Sequence, residues 1–437
     1  MSLPTNTSYK LRPMRYRPLN LGRWLVWSLF ALLLILAPRV FHSGASVSLM
    51  SLMGTTMIFA LSYNMLLGQS GMLSFGHAVY SGLGAFFAIH AINLSSQGAI
   101  PVPLSLVPFI GGLAGLCFGA LFGYVTTKRS GTTFSMISLG IVELVFACSL
   151  MFPGFFGGEG GVSGNRVFGQ PLFGISYGPQ IQVYYLIAFW LFVSTAAMFA
   201  IAHTPLGRIA NAVRDNPERV EFIGYDTQRV RYLMLILSGF FAGISGGLSA
   251  INFEIVSAEN VSAVRSGAVL LFTFIGGIGF FFGPMLGAVV GIFLTVMLSE
   301  FTKAWQLYLG LFFILMVMYA PGGLASLIMM NLRILMQGKM RRLLPAGLAM
   351  MASAVIAAAG VIMLIEMLYH WSLDSAQSSC MHFAGVELDT AIATHWLLAT
   401  GLLIAGGLSF IVTRRPFVDI WGTVNAEIEH QLARTAK

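Results

Sequence analysis

Long uncharged runs constrain this chain more than any other feature of its sequence. Between short clusters of charge lie apolar runs at 22–41, 47–66, 76–93, 104–126, 133–152, 182–202, 232–251, 267–281, 284–299, 305–320, 344–368 and 396–413. A helix rises about 1.5 Å per residue and the hydrocarbon core of a bilayer is about 30 Å thick, so roughly 20 apolar residues cross it. In lipid every backbone polar group must be satisfied within the protein, and helices do this segment by segment. The expectation is an all-α polytopic membrane protein. With 9% charged and 57% hydrophobic residues among 437, no stretch has the composition of a sizeable soluble domain.

Positive charge orients the runs. With an even number of spans and a cytoplasmic N-terminus, all of the 24 Lys and Arg fall inside except Arg39, Arg166, Arg265 and Lys303. Both termini are then cytoplasmic. The formal net charge of +8 is an orientation signal, and nucleic acid is not an expected partner. Cys117 and Cys148 fall inside apolar runs, where they behave as small hydrophobes, so the three Cys make no disulfide framework. The basic segment 1–21 ahead of Trp24 to Ala37 has the form of a secretory signal, with Ser43-Gly44-Ala45 as its cleavage site. The many spans that follow favour a retained first span.

Small residues give the packing. Gly111, Gly115, Gly119 and Gly123 recur every fourth residue, as do Gly239, Gly243 and Gly247, and again Gly283, Gly287 and Gly291. Such stripes let helix backbones approach closely, and packing is what associates helices in lipid. They predict a compact bundle. Gly68 to His77 and Gly276 to Pro284 interrupt it with glycines and small polar residues, and are expected as broken or re-entrant elements.

No enzymatic constellation stands out. Gly338-Lys339 is followed by Met340 and makes no phosphate loop, and neither H-E-x-x-H nor paired C-x-x-C is present. His370, Asp374, Cys380, His382, Glu387, Asp389 and His395, between the last two runs, match no standard metal spacing. No catalytic residue, metal or cofactor is expected. Inside the apolar runs Glu143 is the clearest ionisable residue, and a carboxylate at that depth is costly unless it faces the bundle interior. It is the first candidate to line a translocation path, with Asn64, Ser74 and His77 as further candidates.

Thr204 to Tyr232 is the most informative polar segment. Ile209, Val213, Val220 and Ile223 alternate with Arg208, Arg214, Asp215, Glu218 and Glu221, while Pro217 and Gly224 punctuate two short helices. An apolar anchor with a nearly neutral charged rim suits docking on a protein better than on anionic lipid.

The run Leu61 to Ala78, the segment Gly207 to Gly224, the stretch Gly239 to Gly247 and the closing Ala320-Pro321-Gly322-Gly323-Leu324 together resemble the permease subunits of branched-chain amino acid ABC importers. The resemblance covers about residues 45–325. It implies a bacterial inner-membrane protein that imports branched-chain amino acids or a related small solute. The partners it implies are a second permease subunit, two cytoplasmic ATPase subunits and a periplasmic solute-binding protein. It also gives an ATPase-coupling role to Arg208, Arg214, Asp215, Asn216, Glu218, Glu221 and Gly224. The expected plan is a permease domain over 22–325 with about ten core helices, followed by an extension over 326–437 with two more spans that the family pattern lacks. The rival expectation is an ion-coupled secondary transporter built on Glu143.

Overall fold

The computed structural model describes residues 21–99, 102–168, 176–374, 380–383, 386–390 and 392–435. The basic segment expected at 1–21 lies, apart from Leu21, outside the described residues, as do the side chains of 373–389. Every expected apolar run is helical, except that 267–281 leaves its helix after Gly276. In chain order the helices are α1 (Leu21–Val40), α2 (Gly44–Asn64), α3 (His77–Ser96), α4 (Val107–Thr126), α5 (Thr132–Met151), the single turn α6 (Pro153–Phe156) and α7 (Gln180–His203). Then come the short α8 (Pro205–Asp215) and α9 (Pro217–Phe222), followed by α10 (Thr227–Phe253), α11 (Ala263–Gly276), α12 (Gly283–Phe301), α13 (Trp305–Tyr319), α14 (Gly323–Met336), α15 (Met340–Tyr369) and α16 (Ala393–Thr435). Among the described residues nine helices are long and apolar enough to cross a membrane, or ten if α13 and α14, bent by 52°, form one span. α11 and the apolar part of α1 are shorter.

The bundle is built around α10, the most enclosed spanning helix, which packs on α4, α3 and α2. The glycine stripes decide this arrangement. A Cβ on Gly243 of α10 would collide with the Gly111 carbonyl of α4 and lie 3.1 Å from the Gly112 Cα, so the two backbones touch directly. Serine hydroxyls tie α10 to α2: Ser238 Oγ donates to the Ser62 carbonyl at 2.6 Å and Ser245 Oγ to the Thr55 carbonyl at 2.8 Å.

The two interrupted stretches are where the sequence put them. α2 ends in a π-helical turn (Met65–Gln69), after which the chain runs irregularly to the start of α3. Irregular backbone at membrane depth persists only with local partners. Here Tyr63 Oη and Ser135 Oγ donate to the carbonyls of Ser74 and Leu73 at 3.0 and 2.7 Å, and the Phe75 and Ala78 amides donate to Ser138 Oγ and Ser266 Oγ at 3.0 and 2.9 Å. Gly276 to Pro284 forms the tight connection of a helical hairpin, α11 packing against α12.

At the opposite end, β1 (Val162–Ser163) pairs antiparallel with β2 (Ile255–Val256), and Arg166 pins the intervening loop. Its amide donates to Glu254 Oε1 at 2.9 Å, and its guanidinium donates to the carbonyls of Ile251 and Asn252 at the C-terminal end of α10 and to the Gly178 carbonyl and Gln180 Oε1 at the start of α7. Beyond α14 the chain adds the hairpin α15–α16, whose helices pack chiefly on each other. β3 (Cys380–Phe383) and β4 (Val386–Asp389) pair between them. Tyr308 Oη of α13 donates to Glu366 Oε1 of α15 at 2.8 Å, which ties the hairpin to the bundle.

Candidate functional site

The segment Thr204 to Tyr232 folds as its caps dictate. Thr204 Oγ1 accepts from the Gly207 amide at the start of α8, Asn216 Oδ1 from the Arg219 amide at the start of α9, and Asp226 Oδ1 from the Gln228 and Arg229 amides at the start of α10. Ala210, Val213 and Val220 are buried, with α8 packed on α7, α10 and the π-helical turn. The expected apolar anchor is therefore split: Val213 and Val220 face this chain's own bundle, and Ile223 faces out at 68% exposure beside Phe222 at 90%. In the sequence Phe222 stands alongside Val220 and Ile223 as part of the same apolar face, and the structure turns it outward with Ile223. The end of α9 breaks that face. Arg208, Asp215, Asn216, Glu218, Glu221 and Gly224 are exposed around this pair.

Arg214 differs from its charged neighbours. Its Nη1 donates to the Gly68 carbonyl in the π-helical turn, while its Nη2 lies 2.9 Å from Asp215 Oδ1. Gly68 is in turn so close to the α11–α12 connection that a Cβ there would lie 2.8 Å from the Ile278 carbonyl. Gly277 in that connection has φ 105° and abuts the Gly322 carbonyl where α13 bends into α14. One guanidinium thus joins the short helix pair to the first of three breaks in the spanning helices that abut one another. Each break is a place where repacking costs less than bending an intact helix.

The other candidates divide. His77 is fully buried, its Nε2 is 3.0 Å from Ser62 Oγ, and its ring stacks on Phe59 and meets Tyr63 and Tyr80 edge-on. That arrangement locks the first turn of α3 onto α2. Ser74 is buried in the irregular segment, its carbonyl held by Tyr63. Asn64 is buried next to the π-helical turn, and its Oδ1 has no partner among the described residues, nor has Gln69 Oε1. Glu143 does not face the bundle interior as expected. It lies mid-helix on the exposed side of α5, on a face shared with Met136, Leu139, Gly140, Leu144 and Leu150. The buried side of α5 is its serine side, with Ser135 and Ser138 serving the irregular segment. The carboxylate is left to the outer side.

A cleft that the sequence did not reveal lies between α2, α10, α11 and α12, in the half of the bundle away from α8–α9. It has a volume of about 210 Å³, and Arg265 from the first turn of α11 reaches into it. Arg265 Nη1 donates to Asn260 Oδ1 at 2.7 Å, Nη2 to Ser249 Oγ at 3.4 Å, and the guanidinium lies over the Phe59 ring at 5.9 Å. Nothing in the local sequence marks Arg265. It read as one of four outer basic residues until the fold brought Asn260 and Ser249 to it.

These features define a multi-pass helical membrane protein in which a short helix pair at one face is tied to breaks in the spanning helices. Residues 46–321 match the family described as branched-chain amino acid transport system / permease component, and the chain belongs to that family. It is similar to the high-affinity branched-chain amino acid transport system permease protein LivM of Salmonella typhimurium, at 27% identity over 68% of this chain and 74% of that protein. The LivM protein of Escherichia coli is 26% identical over 64% of this chain and 70% of its own length. The fructose import permease protein FrcC of Rhizobium meliloti is 25% identical over 53% and 67%. No solved structure matches the chain significantly. The family match ends within the bend between α13 and α14, so α15 and α16 lie outside it.

Proposed function

We propose that this chain is the permease subunit of an ATP-driven importer in a bacterial inner membrane, with α8–α9 as the element docked by a cytoplasmic ATPase subunit. The observation that carries this reading is the Arg214 hydrogen bond to Gly68 from the same short-helix segment that exposes Phe222 and Ile223. A docked ATPase would grip the outward pair and, through Arg214, displace the π-helical turn. That is the local step of a swing between inward- and outward-open states. Arg208, Asp215, Asn216, Glu218, Glu221 and Gly224 form the rim that sets register. This places α8–α9 and both termini on the cytoplasmic side, in keeping with the distribution of Lys and Arg. Residues 22–325 form the permease domain and 326–437 an added hairpin. The family membership favours branched-chain amino acids as the solute, received from a periplasmic solute-binding protein.

Glu143 supports a second permease subunit. A carboxylate at the bilayer centre costs about 3 kcal/mol on insertion scales, so an unpaired one on an outer helix face needs protein or water beside it. The exposed side of α5 is therefore the face that meets a second permease, with Glu143 lining the seam. Placing the photo-cross-linking residue p-benzoylphenylalanine at Glu143 should give a cross-link to the second permease on illumination. Cross-linking at the lipid-facing control Leu348 and none at 143 would overturn the placement.

The importer reading is tested by pull-down and uptake. The tagged chain should retain cytoplasmic ATPases, and solute uptake should stop when ATP hydrolysis is blocked with vanadate. Uptake that survives vanadate and collapses with a protonophore would replace this reading with the ion-coupled one.

A further inference from the structure

We infer that the Arg265 cleft is a carboxylate-binding subsite for the transported solute, an inference that rests on the permease reading above. Two arginines at this end of the bundle make the contrast. Arg166 faces the Glu254 carboxylate at 3.9 Å and donates to carbonyls at the end of α10 and to Gly178 and Gln180 beside α7, so its charge is matched within the fold. Arg265 has no carboxylate partner among the described residues. Its two side-chain acceptors are neutral, and a guanidinium carries five N–H donors, so donors remain unused. A cation held in a membrane-embedded cleft with only neutral partners is an incomplete pair, and a planar carboxylate completes it bidentately.

The remaining walls fit the rest of an apolar amino acid. The hydroxyls of Thr55 and Thr56 both donate to the Leu52 carbonyl, and that of Ser245 donates to the Thr55 carbonyl. Their oxygens therefore present lone pairs rather than protons to the cleft, which suits an ammonium group. Phe253, Phe272 and Ile292 supply an apolar wall. The volume of about 210 Å³ lies below the roughly 300–1,000 Å³ of sites for drug-sized ligands and suits a small acid. A neutral sugar would leave the guanidinium unpaired, so the cleft selects against it.

The test uses the purified full-length chain in nanodiscs, with thermal unfolding read against millimolar leucine, leucinamide and fructose. Leucine should raise the unfolding temperature, whereas leucinamide, which lacks the carboxylate, and fructose should not. Arg265→Gln should weaken the leucine effect by roughly tenfold to a hundredfold in apparent affinity, the loss of a charge-assisted pair. Arg265→Lys should restore part of it, which a purely structural arginine would not do. An equal shift by leucinamide, a leucine response unchanged in Arg265→Gln, or no response of the native chain to leucine would each overturn the subsite. Failure of the importer reading looks different: leucine would still act through Arg265 while uptake proved insensitive to vanadate.

Discussion

Replacing Phe222 and Ile223 together by Glu should abolish ATP-driven uptake and strip the ATPase subunits from the purified chain while leaving the bundle folded. Both side chains are largely exposed, and neither carries the packing of α8 and α9, which rests on Ala210, Val213 and Val220. Burying a large apolar side chain contributes about 1.5–3 kcal/mol, so losing two anchors lowers affinity by about two to four orders of magnitude. Reversing exposed charges such as Glu218 or Arg208 should do far less, since pairs at a wet rim contribute about 0–1 kcal/mol each. Co-purification and uptake report the docking, and the unfolding temperature reports the fold. Normal uptake by the double variant with normal ATPase retention would remove α8–α9 from the coupling role.

Gly243→Leu should have the largest effect on the fold itself. The new side chain would start inside the Gly111 carbonyl, where α4, α10 and Gly84 of α3 meet. No rotamer escapes, because the obstruction is backbone. Overpacking typically costs about 1–3 kcal/mol, and backbone that cannot yield pushes the cost to the top of that range or beyond. In lipid no hydrophobic force pulls separated helices back together, so lost contact is lost association. The expected result is little folded protein after extraction and a broad, early unfolding transition. Gly401→Leu is the control, because that glycine is exposed on α16 with nothing within 4 Å of its Cβ position. Equal stability of the two variants would show that the α4–α10 contact is not the keystone of the bundle.

The fold was largely legible because its signals are local. Apolar runs set the spans, four-residue glycine spacing marked helix faces built for close packing, and Pro and Gly marked α8, α9 and the α11–α12 connection. The four-residue period also named the right face of α4: Gly111 and Gly115 do meet Gly239 and Gly243. The candidate site was less legible, since it depends on contacts between residues far apart in sequence. Arg214 read as one charge on a rim, and its hydrogen bond to Gly68 spans 146 positions.

Glu143 shows why depth alone does not assign a face. Its position in an apolar run established that it is costly in lipid, and the cost is met equally by the interior of one subunit or by the seam between two. The serines of α5 decide only the face, because the irregular segment after the π-helical turn needs their hydroxyls and so turns the carboxylate outward. The sequence by itself determined an all-α membrane bundle, its family and the two short helices on one face, since hydropathy, spacing and capping act within a few residues. Only the tertiary structure decided which side of α5 is buried, which arginine holds the π-helical turn and which one reaches into the cleft between α2, α10, α11 and α12. Those depend on the directions side chains take once distant helices pack, and no local pattern encodes them.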